Sequence, residues 1–355
     1  MNANTAVENI LGVVIVPDIN EIIKQPEYDF LRTNEHLKDK LIFLTFGGSH
    51  AYGTNTPDSD IDIRGVAFNR KSDLIGLSNF EQVVNESTDT TVYSFNKIIN
   101  LLCNVNPNVI EMVSCKPEHY VMYSSVGQEL IDNRKMFLSR KAVNAFGGYA
   151  QQQLRRMQNA LARDSYPQSD KEKHILGSVK AAMMSFEDRY KVMPEGSITL
   201  YIDDSEQEDI DSEIFVDVNL KHYPLRDYKN VWSDMNNVVK DYGKLTQRNK
   251  KKDAGALDKH AMHLIRLYLM CLDILEKEEI NTYRENDIEF LMSIRNGKYR
   301  KPDGTYMMKF FDMVTEYERR MEYAANNTSL PDKPDYKKIE EFVISVNERV
   351  IAGEY

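Results

Sequence analysis

The 355-residue chain reads as an α+β protein, with a sheet and flanking helices over residues 1–135 and a helical domain over 136–355. Three observations predict this. Between residues 41 and 95, short runs rich in apolar and β-branched residues alternate with turn signals. From about residue 138 the apolar residues change to helical spacing and hold it over long stretches. One segment, 196–218, interrupts the helical half with two β-type runs around an acidic tip.

The elements follow in order. MNANTAVENILGVVIVPDINE has no basic segment ahead of its short apolar run, so it is expected to open the fold rather than serve as a secretory leader. LIFLTF (41–46) is the first strand, and Thr56-Pro57-Asp58-Ser59 is a turn. IDIRGVAFN (61–69) is the second strand and DTTVYSF (89–95) the third. NKIINLLCNV (96–105) has helical spacing and stops at Asn106-Pro107, where proline disfavours helix in the residue before it. Helices are predicted over 139–161, 172–190, 226–245, 256–277 and 341–352. SITLYI and IFVDV bracket DDSEQEDIDSE, which lacks the spacing and central glycine of a calcium loop and reads as a solvated hairpin tip.

Composition narrows the function. With 42 % hydrophobic and 28 % charged residues, the chain has an ordinary water-soluble balance. No apolar run approaches the roughly 18–20 residues of a membrane span, so no membrane partner is expected. Cys103, Cys115 and Cys271 show no metal-binding spacing and suit buried positions in a reducing cytoplasm. The net charge of −10 leaves no basic footprint for a long duplex. Arg155-Arg156, 248–252 and 295–301 are the local exceptions, and they read first as solvated surface. A nucleotide, an RNA end or a protein is the partner class that remains.

The strongest functional signal is GGSHAYGTNTPDSDIDI (47–63). Asp60 and Asp62, on a strand, would share one face and repel each other unless a cation lies between them. Magnesium, which prefers hard oxygen ligands and is commonly completed by substrate phosphates, suits such a pair. Gly47, Gly48 and Ser49 follow the first strand, and a glycine pair there lets the backbone approach a phosphate closely.

The order of apolar strand, Gly-Gly-Ser, gap and Asp-Ile-Asp resembles the DNA polymerase β-like nucleotidyltransferase superfamily. The fuller string GSHAYGTNTPDSDIDIRGV resembles, more narrowly, its RNA-repair (RNA-ligase-associated) group, as do NPNVIEMV (106–113) and KHAMHLIRL (259–267). The resemblance implies a nucleotidyltransferase fold with a mixed sheet, and transfer of an NMP from an NTP such as ATP to an acceptor hydroxyl. It implies two magnesium ions, or manganese in their place, held by Asp60, Asp62 and a third acid on a neighbouring strand. Asp89, at the head of DTTVYSF, is the first candidate for that acid, with Glu86 and Glu81 as rivals.

Around this centre, Gly47, Gly48 and Ser49 would hold the triphosphate, and Arg64 would pair the acids or reach a phosphate. His50 would cap or contact the phosphates or lie exposed. On the helix near 256–277, Lys259, His263 and Arg266 form one polar stripe opposite Leu264, Tyr268, Cys271 and Leu275. That stripe either binds nucleotide phosphates or is a surface stripe with local partners. An RNA end is the expected acceptor. The alternatives are nucleotidylation of a protein, which the acidic charge favours, and a non-catalytic nucleotide-binding protein.

Overall fold

The computed structural model describes residues 18–165, 198–204, 212–225, 228–233, 235–236 and 254–355. The helix expected over 172–190 lies outside these residues, as does most of the one expected over 226–245. Within the chain, Met1–Gln152, Met262–Ile294 and Phe311–Tyr355 group into one compact unit, and Gln153–Ala261 with Arg295–Phe310 into a second.

The first unit is built on a five-stranded mixed sheet: β1 (Leu41–Phe46), β2 (Ile63–Ala67), β3 (Gln82–Asn85), β4 (Thr90–Ser94) and β5 (Tyr120–Met122), in the order β3-β4-β2-β1-β5. β2 and β4 run parallel, and the other neighbours are antiparallel. β1 occupies an inner position, and five of its six residues are buried, as a strand apolar at every position but Thr45 requires. β4 alternates buried and half-buried residues, so Thr91 and Tyr93 share the more open face. Leu44, Phe46, Ile63, Ala67 and Val92 form a core with Ile19, Ile22, Leu31 and Leu37 from short helices ahead of the sheet, α1 (Ile19–Ile22) and α2 (Phe30–Thr33), and the turn after them.

Helix α3 (Gly48–Tyr52) follows β1 directly, with Gly47 as its extended N-cap and Gly53 closing it in the left-handed region at φ 75°. After α4 (Lys71–Ile75) comes α5 (Phe95–Leu102), which begins at Ser94, whose hydroxyl accepts from the Lys97 amide at 3.3 Å. Asn106 then caps α6 (Pro107–Ile110), accepting from the Asn108 amide at 3.0 Å. The helical region follows α7 (Ser125–Asp132) with α8 (Lys141–Ser165), α9 (Ala254–Lys277), α10 (Ile288–Arg295), α11 (Met308–Asn327) and α12 (Tyr336–Ala352). In α9 the predicted apolar face is inside: Leu264, Tyr268, Cys271 and Leu275 are all buried.

In the second unit, β6 (Ile198–Asp204) pairs antiparallel with β7 (Ser212–Val218) at the place where the acidic hairpin was expected. Also in this unit, Asp258 is almost fully buried, accepts from the Tyr306 hydroxyl and pairs with Arg300 at 3.1 Å. No helix among the described residues is long and apolar enough to cross a membrane.

Candidate active site

Three chain segments meet where β1 ends. The Gly47 amide donates to the Asp62 carbonyl at 2.9 Å, and the Ile63 amide donates to the Asp89 carbonyl at 3.3 Å. The parallel register of β2 and β4, with Arg64 beside Thr91, thus brings Asp89 alongside Asp62. The acids do not lie within a strand as the sequence predicts. β2 begins at Ile63, and Asp60 to Asp62 form the stretch leading into it. The preceding turn explains the late start: Ser59 closes it by accepting from the Thr56 amide at 2.8 Å, and the ladder forms only beyond Asp62.

Asp62, Arg64 and Asp89 form one charged group. Arg64 Nη2 lies 3.2 Å from Asp89 Oδ1 and 3.6 Å from Asp62 Oδ1. Its Nη1 donates to the Asp89 carbonyl and, at 3.1 Å, to the Ile63 carbonyl. A hydrogen-bonding contact with the Asp62 side chain holds the Asp89 carboxyl below the usual carboxylate range; Arg64 works in the same direction and burial opposes both. Asp89 sits at φ 42°, a left-handed conformation that aspartate tolerates better than most residues, at the end of the turn joining β3 to β4.

The glycines fit tightly beneath these side chains. A Cβ on Gly48, at φ 55°, would run into the Asp62 carboxylate, and one on Gly47 would come within 2.9 Å of Arg64 Cγ. Only glycine is compatible with this approach. Ser49 is buried in the next turn, and its carbonyl accepts from the Thr54 amide at 3.0 Å. Asp60 is exposed. Of the rivals to Asp89, Glu86 is exposed in the turn, whereas Glu81 stands beside Ser94 at the opposite end of β4 and pairs with Lys97 at 2.9 Å.

A cavity of about 220 Å³ opens beside this group, lined by Gly47, Gly48, Tyr52, Arg64, Tyr93 and Glu111, with Thr91, Asn108 and Cys115 among the others. Burial pushes the Cys115 thiol up to about 12, so it is no nucleophile. Behind the wall lies the residue for which the sequence suggests phosphate binding. Arg266 is 5 % exposed, pairs with Glu111, and stacks its guanidinium 3.6 Å from the centre of the Tyr52 ring. Glu111 also accepts from the Tyr52 hydroxyl at 2.6 Å. Burial opposes the Arg266 charge, but the carboxylate and the ring more than restore it. Arg266 therefore has local partners, but it is buried rather than part of a surface stripe.

His263 is half-buried with its ring edge-on to Tyr52 at 6.1 Å, and Lys259 is exposed in the second unit. His50, expected near the phosphates or exposed, is buried, with neither ring nitrogen hydrogen-bonded. Glu111 and Tyr52 escaped the sequence reading as site residues. Their signals were the acid in NPNVIEMV and the aromatic four residues after Gly48.

The donors gathered here are two hard carboxylates and a guanidinium above a glycine pair. Residues 22–184 match the sequence model of the RNA repair pathway DNA polymerase beta family. This is the group the motif resembles, and the match takes in β1 through β5 and every site residue before α9. The chain is also 22 % identical, over 315 residues, to an uncharacterized 38.9 kDa protein in the nrdC-mobD intergenic region of Enterobacteria phage T4. That alignment covers 81 % of this chain and 91 % of the phage protein. No solved structure matches. The family match supports nucleotidyl transfer in RNA repair as the class of activity.

Proposed function

We propose that the protein is a metal-dependent nucleotidyltransferase that moves an NMP from an NTP to the hydroxyl of an RNA end. The observation that carries this is the meeting of Asp62, Asp89 and Arg64 over the Gly47-Gly48 backbone. The donor set fits magnesium: two carboxylates that share one guanidinium, beside glycines that leave no space for another side chain. Among the described residues no group of three His, Cys, Asp or Glu side chains is already gathered tightly enough to hold an ion. The remaining ligands would come from Asp60, which is two residues from Asp62, and from the phosphates. Bound there, magnesium would neutralise charge developing on the phosphates and orient the attacking oxygen.

The chain's own residues do the rest by positioning and charge. The backbone at Gly47 and Gly48, with Ser49, receives the triphosphate, and Arg64 steadies the phosphate charge. The acceptor oxygen forms a bond to the α-phosphorus as the bond to the β-phosphate bridging oxygen breaks. Pyrophosphate leaves, and the hydroxyl proton passes to Asp89. Arg266 braces Tyr52 and Glu111 of the cavity wall from behind.

The test is incubation with each labelled NTP, magnesium and total cellular RNA or lysate. Label that is lost to ribonuclease and resists protease supports an RNA acceptor. Label that resists ribonuclease and is lost to protease assigns the acceptor to protein, the reading favoured by the net charge of −10. Absence of any NTP-dependent label, with a folded protein, would overturn nucleotidyl transfer.

A further inference from the structure

The chain's own side chains cover the surface expected to receive the triphosphate. The Arg64 stem crosses Gly47 and the Asp62 carboxylate lies against Gly48, so close that a methyl group fits at neither position. The Arg64 guanidinium meanwhile serves both acids at once, 3.2 Å from Asp89 and 3.6 Å from Asp62, while also donating to the Asp89 and Ile63 carbonyls. Two carboxylates and one guanidinium sum to −1, so a single side chain supplies half of the neutralisation that a divalent cation would supply in full. Its side chain is 24 % exposed and lines the cavity, so a path for the guanidinium toward a bound phosphate is open.

From this geometry we infer that Arg64 is an internal counter-ion that keeps the acid pair closed until a divalent cation and a triphosphate arrive together. The triphosphate draws the guanidinium off Asp62 and Asp89, and the acids become ligands only then. The inference rests on the proposed function for the identity of those two ligands, and it adds a property that function does not require. Cation binding by itself must compete with Arg64, whereas binding together with a triphosphate gives Arg64 a new partner. Asp89 is the acid more firmly held, since Arg64 bonds both its carboxylate and its carbonyl.

The test measures binding of Mn²⁺, a paramagnetic substitute for magnesium, by electron paramagnetic resonance, with and without a non-hydrolysable nucleoside triphosphate analogue. Wild type is expected to bind Mn²⁺ weakly by itself and at least about tenfold more tightly with the analogue, the size of one charged hydrogen bond. Arg64→Ala should bind Mn²⁺ by itself about tenfold more tightly than wild type, and should bind the analogue more weakly by a similar factor. Its melting temperature in metal-free buffer should fall below wild type and be restored by Mn²⁺ without nucleotide, whereas wild type should gain nothing from Mn²⁺ alone. Arg64→Lys, which keeps the charge but loses the fork of donors, should fall between the two and replaces the alanine variant if that one fails to fold.

If Arg64→Ala and Arg64→Lys bind Mn²⁺ no better than wild type, while wild type still binds cation and analogue together, the counter-ion role is overturned and the proposed function stands. If wild type binds neither Mn²⁺ nor analogue in any combination, both fall.

Discussion

Two arginines within the same unit show how environment decides what a charge is for. Arg266 is sealed behind the cavity wall, with Glu111 and the Tyr52 ring as partners. Arg64 is a quarter exposed on the cavity side and shared between two acids, one of them largely in solvent. A buried charge that loses its partner has nowhere to turn, so Arg266 is committed to structure. A half-exposed arginine facing two anions can exchange them for others, which suits it to ligand exchange. Sequence alone ranks both as cations near a motif.

The sharpest break between the two sides should come from Asp62→Asn. With one acid neutralised, transfer should fall by at least about 10²-fold, the scale of losing a preorganised charge partner. The melting temperature should hold or rise, because the acids repel. Activity within a few-fold of wild type would remove Asp62 from the proposed chemistry. Asp60→Asn is expected to behave alike; normal turnover there would leave the exposed Asp60 outside the ligand set.

Arg266→Ala should do the opposite. It strands Glu111, whose side chain is 7 % exposed, and should lower unfolding stability by about 3–5 kcal/mol in urea titrations. Replacing both partners, Arg266→Met with Glu111→Gln, should recover much of that loss. If Arg266→Ala melts like wild type and instead loses nucleotide affinity, the two arginines share one role and the comparison fails.

Asp89→Asn tests the open side at its most exposed member. Turnover should drop strongly with little change in melting temperature, since its side chain is 62 % exposed. An unchanged rate would move the third acidic role to Glu86, its exposed neighbour in the turn.

The smallest effect concerns acid sensitivity. His50 and His119 are both buried against Phe46, with ring centres 5.7 and 5.6 Å from it and no hydrogen bonds to their ring nitrogens. Burial pushes both imidazoles below the ordinary histidine value; a contact with the Ser59 backbone opposes this at His50, and the Glu118 charge opposes it at His119. A group whose folded value is depressed in this way contributes its full stability above the unfolded value of about 6.5 and loses it as pH falls below. His119→Phe should therefore flatten the stability profile between roughly pH 7 and 5, read as urea midpoints. An equally steep acid limb in the variant would clear His119 of that role.

Much of the open side was legible. Gly47, Gly48, Asp62 and Arg64 lie within eighteen residues, and Asp89 heads the next strong β-type run, so local spacing reaches them all. The late start of β2 was not legible, because the turn closed by Ser59 and the apolar Ile61 leave the strand boundary to the ladder. β3 and β5 were missed because they are four and three residues long and lack a distinct alternating pattern. Which reading of the stripe holds at Arg266 was not legible, because Glu111, its partner, is 155 residues away.

The sequence by itself determined what depends on near neighbours: the strand that ends in glycines, the acids two residues apart, the helical face of Leu264, Tyr268, Cys271 and Leu275. Backbone geometry sets those periods, and a few residues suffice to read them. Only the tertiary structure decided which carboxylate each arginine meets, and whether that meeting is buried or open. Pairing β2 with β4 brought Asp89 to Asp62, and packing α9 behind Tyr52 gave Arg266 its counter-ion. A charge's partner and its dielectric surroundings are properties of assembled space, and they determine whether a cation holds the fold or serves the site.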